Sequence, residues 1–280
     1  MDAQAGSPLE DDESLGLRFG SVASLYDETR PPYPEELWAR LASATGSPGG
    51  SLAGRLVLDL AAGTGLATRS LIDHGATVIA CEPDARQLAQ LVRRTPLAWA
   101  VRGTAEHLPI RDHRIDLVTC ATAWHWFDAD VAAAQVARVL RPGGHLALWW
   151  ANNRHGDGID WEEAQSAVYD RWPTPVGRPP PESYLGVKPD EAAAHLADRG
   201  WQIVVDTTLE WTRRVTREQH VAMLSTHSVV LWLGPDKERF LAEVTAALEP
   251  WPELTERLFG AFIVATPPAK AGVAEAGPGG

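Results

Sequence analysis

Cysteine is scarce in this chain, with Cys81 and Cys120 the two among 280 residues. No Cys-x-x-Cys or His-x-x-x-His pair occurs, so the spacing that holds a metal ion is missing and no metal is expected. Both thiols fall in apolar runs, where a free cysteine behaves as a small apolar side chain; a disulfide is not expected and a reducing, cytoplasmic setting is. Positive charge is also short, since 25 Lys and Arg face 37 Asp and Glu for a formal charge of −12. The lysines are Lys188, Lys237 and Lys270, so the cations are nearly all arginine, a bias that fits a GC-rich bacterial genome. Such an acidic chain lacks the basic surface that nucleic acid requires. No apolar run approaches the ~20 residues that cross a bilayer, so no membrane association is expected. The acidic start Met1–Glu13 has neither the basic nor the apolar segment of a secretory signal. Gly-x-Ser-x-Gly is absent, and with it the nucleophile elbow of serine hydrolases.

What is present is a strand, a glycine turn and a helix in Val57-Leu-Asp-Leu-Ala-Ala-Gly-Thr-Gly-Leu66. Gly63 and Gly65 have no Cβ to hold a ligand off the main chain, and the amides that open the following helix point at whatever lies there. Nineteen residues past Gly63, the apolar run Ala76–Cys81 ends at Glu82 and Pro83, where a carboxylate takes the hydroxyls of a ribose. A nucleotide-like cofactor is the expected ligand. Thr68 stands where a dinucleotide fingerprint has a third small residue, which weighs against NAD. Strands near 55–60, 76–82, 97–102, 115–121 and 144–150 alternate with helices near 34–44, 66–74, 84–94 and 129–140. That alternation predicts an α/β fold, a parallel sheet covered by helices on both faces. Helices near 159–171, 189–199, 217–225 and 235–248 and strands near 201–212 and 258–265 follow.

Gly103-Thr-Ala-Glu-His-Leu-Pro109, Ile115-Asp-Leu-Val-Thr-Cys120 and Leu140-Arg-Pro-Gly-Gly144 follow the turn and Glu82 in order, and with them the chain resembles a class I S-adenosylmethionine-dependent methyltransferase. Phe19, Tyr26, Arg30-Pro-Pro-Tyr-Pro34 and Trp124-His-Trp-Phe127 resemble the small-molecule branch that includes the trans-aconitate methyltransferases. The resemblance implies a doubly wound Rossmann-like sheet of seven strands, the last antiparallel, with a helical cap. It implies one domain over 15–268 with an N-terminal lid at 15–50 and a cap insertion at 151–190, between mobile tails at 1–14 and 269–280. S-adenosyl-L-methionine is the implied cofactor. Asp59, Ala61 and Gly63 would hold its methionine part, Glu82 its ribose, and Thr104, Ala105 and Glu106 would frame the adenine, with Gly65, Pro83 and Ala121 as further cofactor-binding residues. Thr104 departs from the commoner aspartate, which leaves the backbone amide of Ala105 to serve there.

Methyl transfer from a sulfonium needs alignment and dryness more than acid–base help, and a base only where the acceptor must lose a proton. His125, at the end of the fourth strand, is the first choice for that base, or else a structural and orienting residue. Tyr26 is the second, on a segment that the resemblance makes a lid. Arg30 can bind a carboxylate. Twelve tryptophans are many for this length. Trp124, Trp126, Trp150 and Trp161, with Tyr184, would give an apolar, flat-walled pocket for an aromatic or indole-type natural product of specialised metabolism. Carboxylate O-methylation of the trans-aconitate kind is the alternative acceptor chemistry. An NAD-dependent oxidoreductase and a non-catalytic adenosylmethionine-binding protein are the alternatives of another class, and a homodimer is left open.

Overall fold

The computed structural model describes residues 23–30, 32–47, 50–153, 158–172, 188, 191–231 and 233–268. Tyr184 and both tails lie outside them, and of Tyr26 only the backbone is described. The strands are β1 (Leu56–Leu60), β2 (Thr77–Cys81), β3 (Trp99–Val101), β4 (Ile115–Ala121), β5 (Leu140–Trp149), β6 (Asn152–Asn153), β7 (Gln202–Thr216) and β8 (Glu253–Thr266). The helices are α1 (Ala23–Thr29), α2 (Glu35–Ala44), α3 (Leu66–Asp73), α4 (Ala85–Arg94), α5 (Ala129–Val139), α6 (Asp160–Arg171), α7 (Ala192–Asp198), α8 (Arg217–Leu224), α9 (Ser228–Leu231) and α10 (Lys237–Ala247).

The sheet runs β3-β2-β1-β4-β5-β8-β6, with β7 on β8. Among the described residues it has eight strands rather than the expected seven, because the two-residue β6 pairs Asn152 with Phe259 and Asn153 with Leu258. β1 to β5 are parallel and β8 enters antiparallel, as the resemblance implies. The central strands β1 and β4 are almost wholly buried, which is why they read as continuous apolar runs and not as alternating ones. Their two faces belong to separate cores: Leu58, Leu60, Val118 and Cys120 pack with α5 and α7, while Val57 and Leu117 pack with α2 and α3. Cys81 and Cys120 are buried free thiols. Burial and the nearby carboxylates of Glu82 and Asp59 push the Cys81 thiol up to about 12, which makes it chemically inert.

β7 and β8 pair from Gln202 with Thr266 to Thr216 with Glu253, while β5 meets only Phe262 to Ala265 of β8. The hairpin therefore overhangs the carboxyl edge of the parallel strands. A third core rides on the overhang: Trp161 and Val168 of α6, Met223 and Leu224 of α8 and Phe240 and Val244 of α10 pack with Val215 and Leu254 of the two strands. Of the range 151–190, where a cap is expected, 154–157, 173–187 and 189–190 fall outside the described residues, while α6 lies in this core. Beneath it runs a buried polar chain. Gln165 and Glu256 contact the two ring nitrogens of His220 at 2.6 Å each, Glu256 pairs with Arg213, and Arg213 donates to the carbonyl of Thr29 at 3.1 Å. Burial alone would raise the Glu256 carboxyl, yet the bonds from His220 and Arg213 hold it below the usual range.

Candidate active site

The carboxyl ends of parallel strands share one edge, and ligands of such sheets bind beyond it where the strand order reverses, here between β1 and β4. Two acids lie there. Asp59 is 1% exposed and accepts the hydroxyls of Thr68 at 2.6 Å and Thr119 at 3.0 Å. It ties α3 to the centre of the sheet from beneath the turn, and burial pushes its carboxyl up to about 6. Thr68, read in the sequence only as a departure from a dinucleotide fingerprint, is thus a partner that Asp59 requires. Glu82 accepts the amides of Gly63 and Asp84, each at 2.9 Å. It is 4% exposed and also raised to about 6 by burial. Both of its donors are neutral amides, and each carboxylate oxygen has a second lone pair to fill. A vicinal diol supplies the two O–H donors that such a carboxylate needs, so the donor set fits a ribose.

The turn itself is shaped by backbone that favours glycine. Gly63 and Gly65 have φ of 58° and 89°, and a Cβ on Gly65 would meet Leu91 of α4 at 3.0 Å. Ala61 and Thr122 take φ of 51° and 54° without being glycine. They follow the neighbouring strands β1 and β4, and each such conformation costs about 1–2 kcal/mol, strain of the kind that collects at functional sites. Of the remaining residues expected around the cofactor, Ala105 is buried among core side chains, and Thr104 bridges to His107. Glu106 accepts the amide of Asp128 at 3.2 Å, while the carbonyl of Pro83 accepts Arg102 at 3.0 Å. Ala121 ends β4 packed against the second core.

His125 lies in a 3-10 turn, Trp124–Trp126, and its Nδ1 accepts the indole N–H of Trp150 at 3.1 Å. Indole nitrogen is a donor only, so this bond fixes the neutral imidazole with its proton on Nε2. Burial pushes the ring down to about 4, so it stays neutral at pH 7. Folding disfavours the charged ring, so its contribution to stability is present above the ordinary histidine value and is lost as pH falls toward 4.

A small cavity of about 20 Å³ beyond the turn is lined by Arg30, Tyr33, Thr122 and Asn153 together with Met223 and Leu258, from the N-terminal segment, the strand ends, α8 and β8. The tryptophans do not line it. Trp124 and Trp150 are buried in the first core and Trp161 in the cap's core, which corrects their placement from pocket wall to packing. Large apolar rings bury more area than they can expose without loss, and adjacency to a site in sequence does not say which way a ring faces. Trp126 is partly exposed beside His125, with ring centroids 4.8 Å apart. Tyr33, Met223 and Leu258 were not anticipated as pocket residues, and nothing local in the sequence marks them.

Residues 58–148 match the family model described as Methyltransferase domain. An uncharacterised methyltransferase of Mycobacterium tuberculosis is 40% identical over 162 residues, 58% of this chain and 63% of that protein. The chain thus spans less than two thirds of that relative's length. A demethylmenaquinone methyltransferase of Beutenbergia cavernae is 35% identical over 143 residues, 50% of this chain and 58% of the relative. Among solved structures, a candidate type II methyltransferase from Anaeromyxobacter dehalogenans superposes with a TM-score of 0.62 at 24% identity, covering 86% of this chain and 99% of the other. The [4+2]-cyclase SpnF superposes at 0.54 and 15% identity, covering 92% and 97%, and speaks for the fold alone. Residues 58–148 thus match a methyltransferase domain, and the strand order, with two carboxylates at the sheet's switch point, is that of the class I methyltransferase fold.

Proposed function

We propose that this protein moves the methyl group of S-adenosylmethionine to a small acceptor that carries a carboxylate. The observation that carries the reading is Arg30 in the wall of the cavity beside the cofactor turn, with Tyr33, Thr122 and Asn153 as further polar groups. A guanidinium matches a carboxylate in charge and shape. The cofactor supplies an electrophilic methyl on a sulfonium leaving group. Everything else falls to this chain: Glu82 and the turn set the donor's position, Arg30 orients the acceptor, and α1 and the cap keep water out. An ionised carboxylate has no proton to lose, which agrees with a His125 that is neutral and already bonded through Nδ1. His125 is an orienting residue in this reading, and Tyr26, on the lid helix, belongs with the acceptor's surroundings.

The aromatic acceptor of the sequence reading drew its support from tryptophan walls that lie in the cores. The test is labelled S-adenosylmethionine offered with di- and tricarboxylates, phenols, indoles and quinols in parallel. Methylation of carboxylates, with Arg30→Ala raising KM about 10–100-fold from loss of a charge-assisted hydrogen bond, supports the reading. Turnover of indoles or quinols with carboxylates inert overturns it. A second expectation is a kcat–pH profile, at saturating S-adenosylmethionine, without a limb near pH 4, where the buried His125 ring would take up a proton, and a fall in kcat below about tenfold for His125→Ala. A general base there would show that limb and cost about 10²–10⁴-fold.

A further inference from the structure

We propose that Asp27, on the N-terminal helix, is a positioning residue of the cofactor turn, so that docking of α1 and completion of the cofactor cradle are one event. The inference rests on the methyl-donor reading of that turn. The Asp27 side chain is 2% exposed and gathers donors from three elements. Its Oδ1 accepts the hydroxyl of Thr64 at 2.9 Å and Arg69 of α3 at 2.5 Å, and its Oδ2 accepts Arg94 of α4 at 2.6 Å. Arg69 also donates to the carbonyl of Thr64 at 3.1 Å. Thr64 is therefore held at its hydroxyl and at its carbonyl.

Thr64 is the residue that matters for the turn's shape. It stands between Gly63 and Gly65, both at positive φ, and glycine backbone offers many conformations of similar energy. A turn of that kind is held by what grips it. Glu82 grips the amide of Gly63, and the Asp27 group grips the next residue. A carboxylate bound by two guanidiniums and a hydroxyl in a nearly dry place is rigid, and removing its charge takes the counterion from Arg69 and leaves Arg94 to the exposed Glu28 at 3.2 Å. Two residues on, the last residue of α1 is tied to β7 through the Thr29 carbonyl and Arg213. The helix thus connects the cap's polar chain to the turn, and any ligand that favours the ordered turn must favour the docked helix to the same degree.

The experiment measures S-adenosylhomocysteine affinity by calorimetry and amide hydrogen exchange, with and without it, for wild type, Asp27→Asn, Thr64→Val and Asp116→Asn. Asp116 is a control of similar burial at the opposite edge, where it accepts the amide of Leu56 at 2.7 Å and pairs with Arg141 at 2.6 Å. The expected result is a Kd about tenfold higher or more for Asp27→Asn and several-fold higher for Thr64→Val, from the loss of charged and neutral hydrogen bonds respectively. Exchange in 24–29 and in 62–68 rises together in both ligand-free variants, and the ligand slows both segments together in wild type. Asp116→Asn lowers the melting temperature and leaves Kd unchanged. Unchanged Kd in Thr64→Val, or a lower melting temperature with unchanged Kd in Asp27→Asn, overturns the proposal, as does exchange that changes in one segment alone. Should Asp27→Asn fail to fold, Thr64→Val decides, because it keeps both ion pairs. Failure of wild type to bind at all refutes the methyl-donor reading, while the ligand-free exchange still shows whether the turn depends on Asp27.

Discussion

Glu82→Gln is expected to weaken S-adenosylhomocysteine binding about 100-fold, the equivalent of about 3 kcal/mol, while the protein remains folded. The carboxylate presents acceptors on both oxygens, two of them filled by the amides of Gly63 and Asp84. Each oxygen accepts one amide, so whichever way a glutamine turns, its NH2 faces the amide of Gly63 or that of Asp84. Either choice sets donor against donor in a buried place. The effect of pH follows from the same group. Its pKa in the fold, about 6, lies above the ordinary carboxylate value near 4.3, so the fold holds the proton more tightly than the unfolded chain does. The ligand-free protein therefore loses stability as pH rises through that window, and Asp59, also raised to about 6, acts in the same direction. Hydroxyl donors favour the ionised form, so affinity rises over the same window and levels off above it. Calorimetry and thermal shifts at pH 5 and 7.5 check this: the ligand should stabilise more at 7.5. Equal affinity at both values, or a Glu82→Gln variant that binds like wild type, would place the ribose elsewhere.

Gly260→Ala is expected to destabilise the protein by about 3 kcal/mol or more, a fall in melting temperature of about 6–12 °C. A Cβ on Gly260 would lie 1.7 Å from the carbonyl oxygen of Trp150 and 2.5 Å from its carbon, which are backbone atoms and cannot rotate away. The contact arises where the chain leaves β5 and crosses toward β6 over β8, with the amide of Trp150 bonded to the carbonyl of Ala261 at 3.1 Å. Glycine in a strand interior often marks such an approach. Relief requires the crossing to lift, and that moves the Trp150 indole that holds His125, together with Asn153 in the cavity wall. Activity should fall along with stability. A Gly260→Ala protein with the wild-type melting temperature would mean that the crossing lies elsewhere.

The parallel half of the sheet, with its glycine turn, was legible in the sequence because its signals are local. Buried parallel strands are short apolar runs, the turn needs glycine, and Glu82 follows at the distance set by one helix and one strand. The other half was not, because its signals depend on partners far along the chain. β8 begins at Glu253 rather than near 258, and β7 continues to Thr216, since their outer halves are stabilised by each other and by the cap and carry no continuous apolar run. Composition shows twelve tryptophans but not which face each occupies, so rings next to the site in sequence were read as its walls. Asp27 looks like any surface acid until Arg69 and Arg94 are seen to converge on it.

The hairpin of β7 and β8 acts as a ruler. Since the third core is built on the same two strands that finish the sheet, its height above the glycine turn is counted in residues of strand, at about 3.3 Å each. Lengthening both strands by two residues would raise that core by about 7 Å and preserve which side chains face inward. A change of one residue in a single strand would turn its inward set outward. The space over the turn can therefore be revised in discrete steps, at a distance from Asp59 and Glu82, without disturbing the parallel strands that carry them.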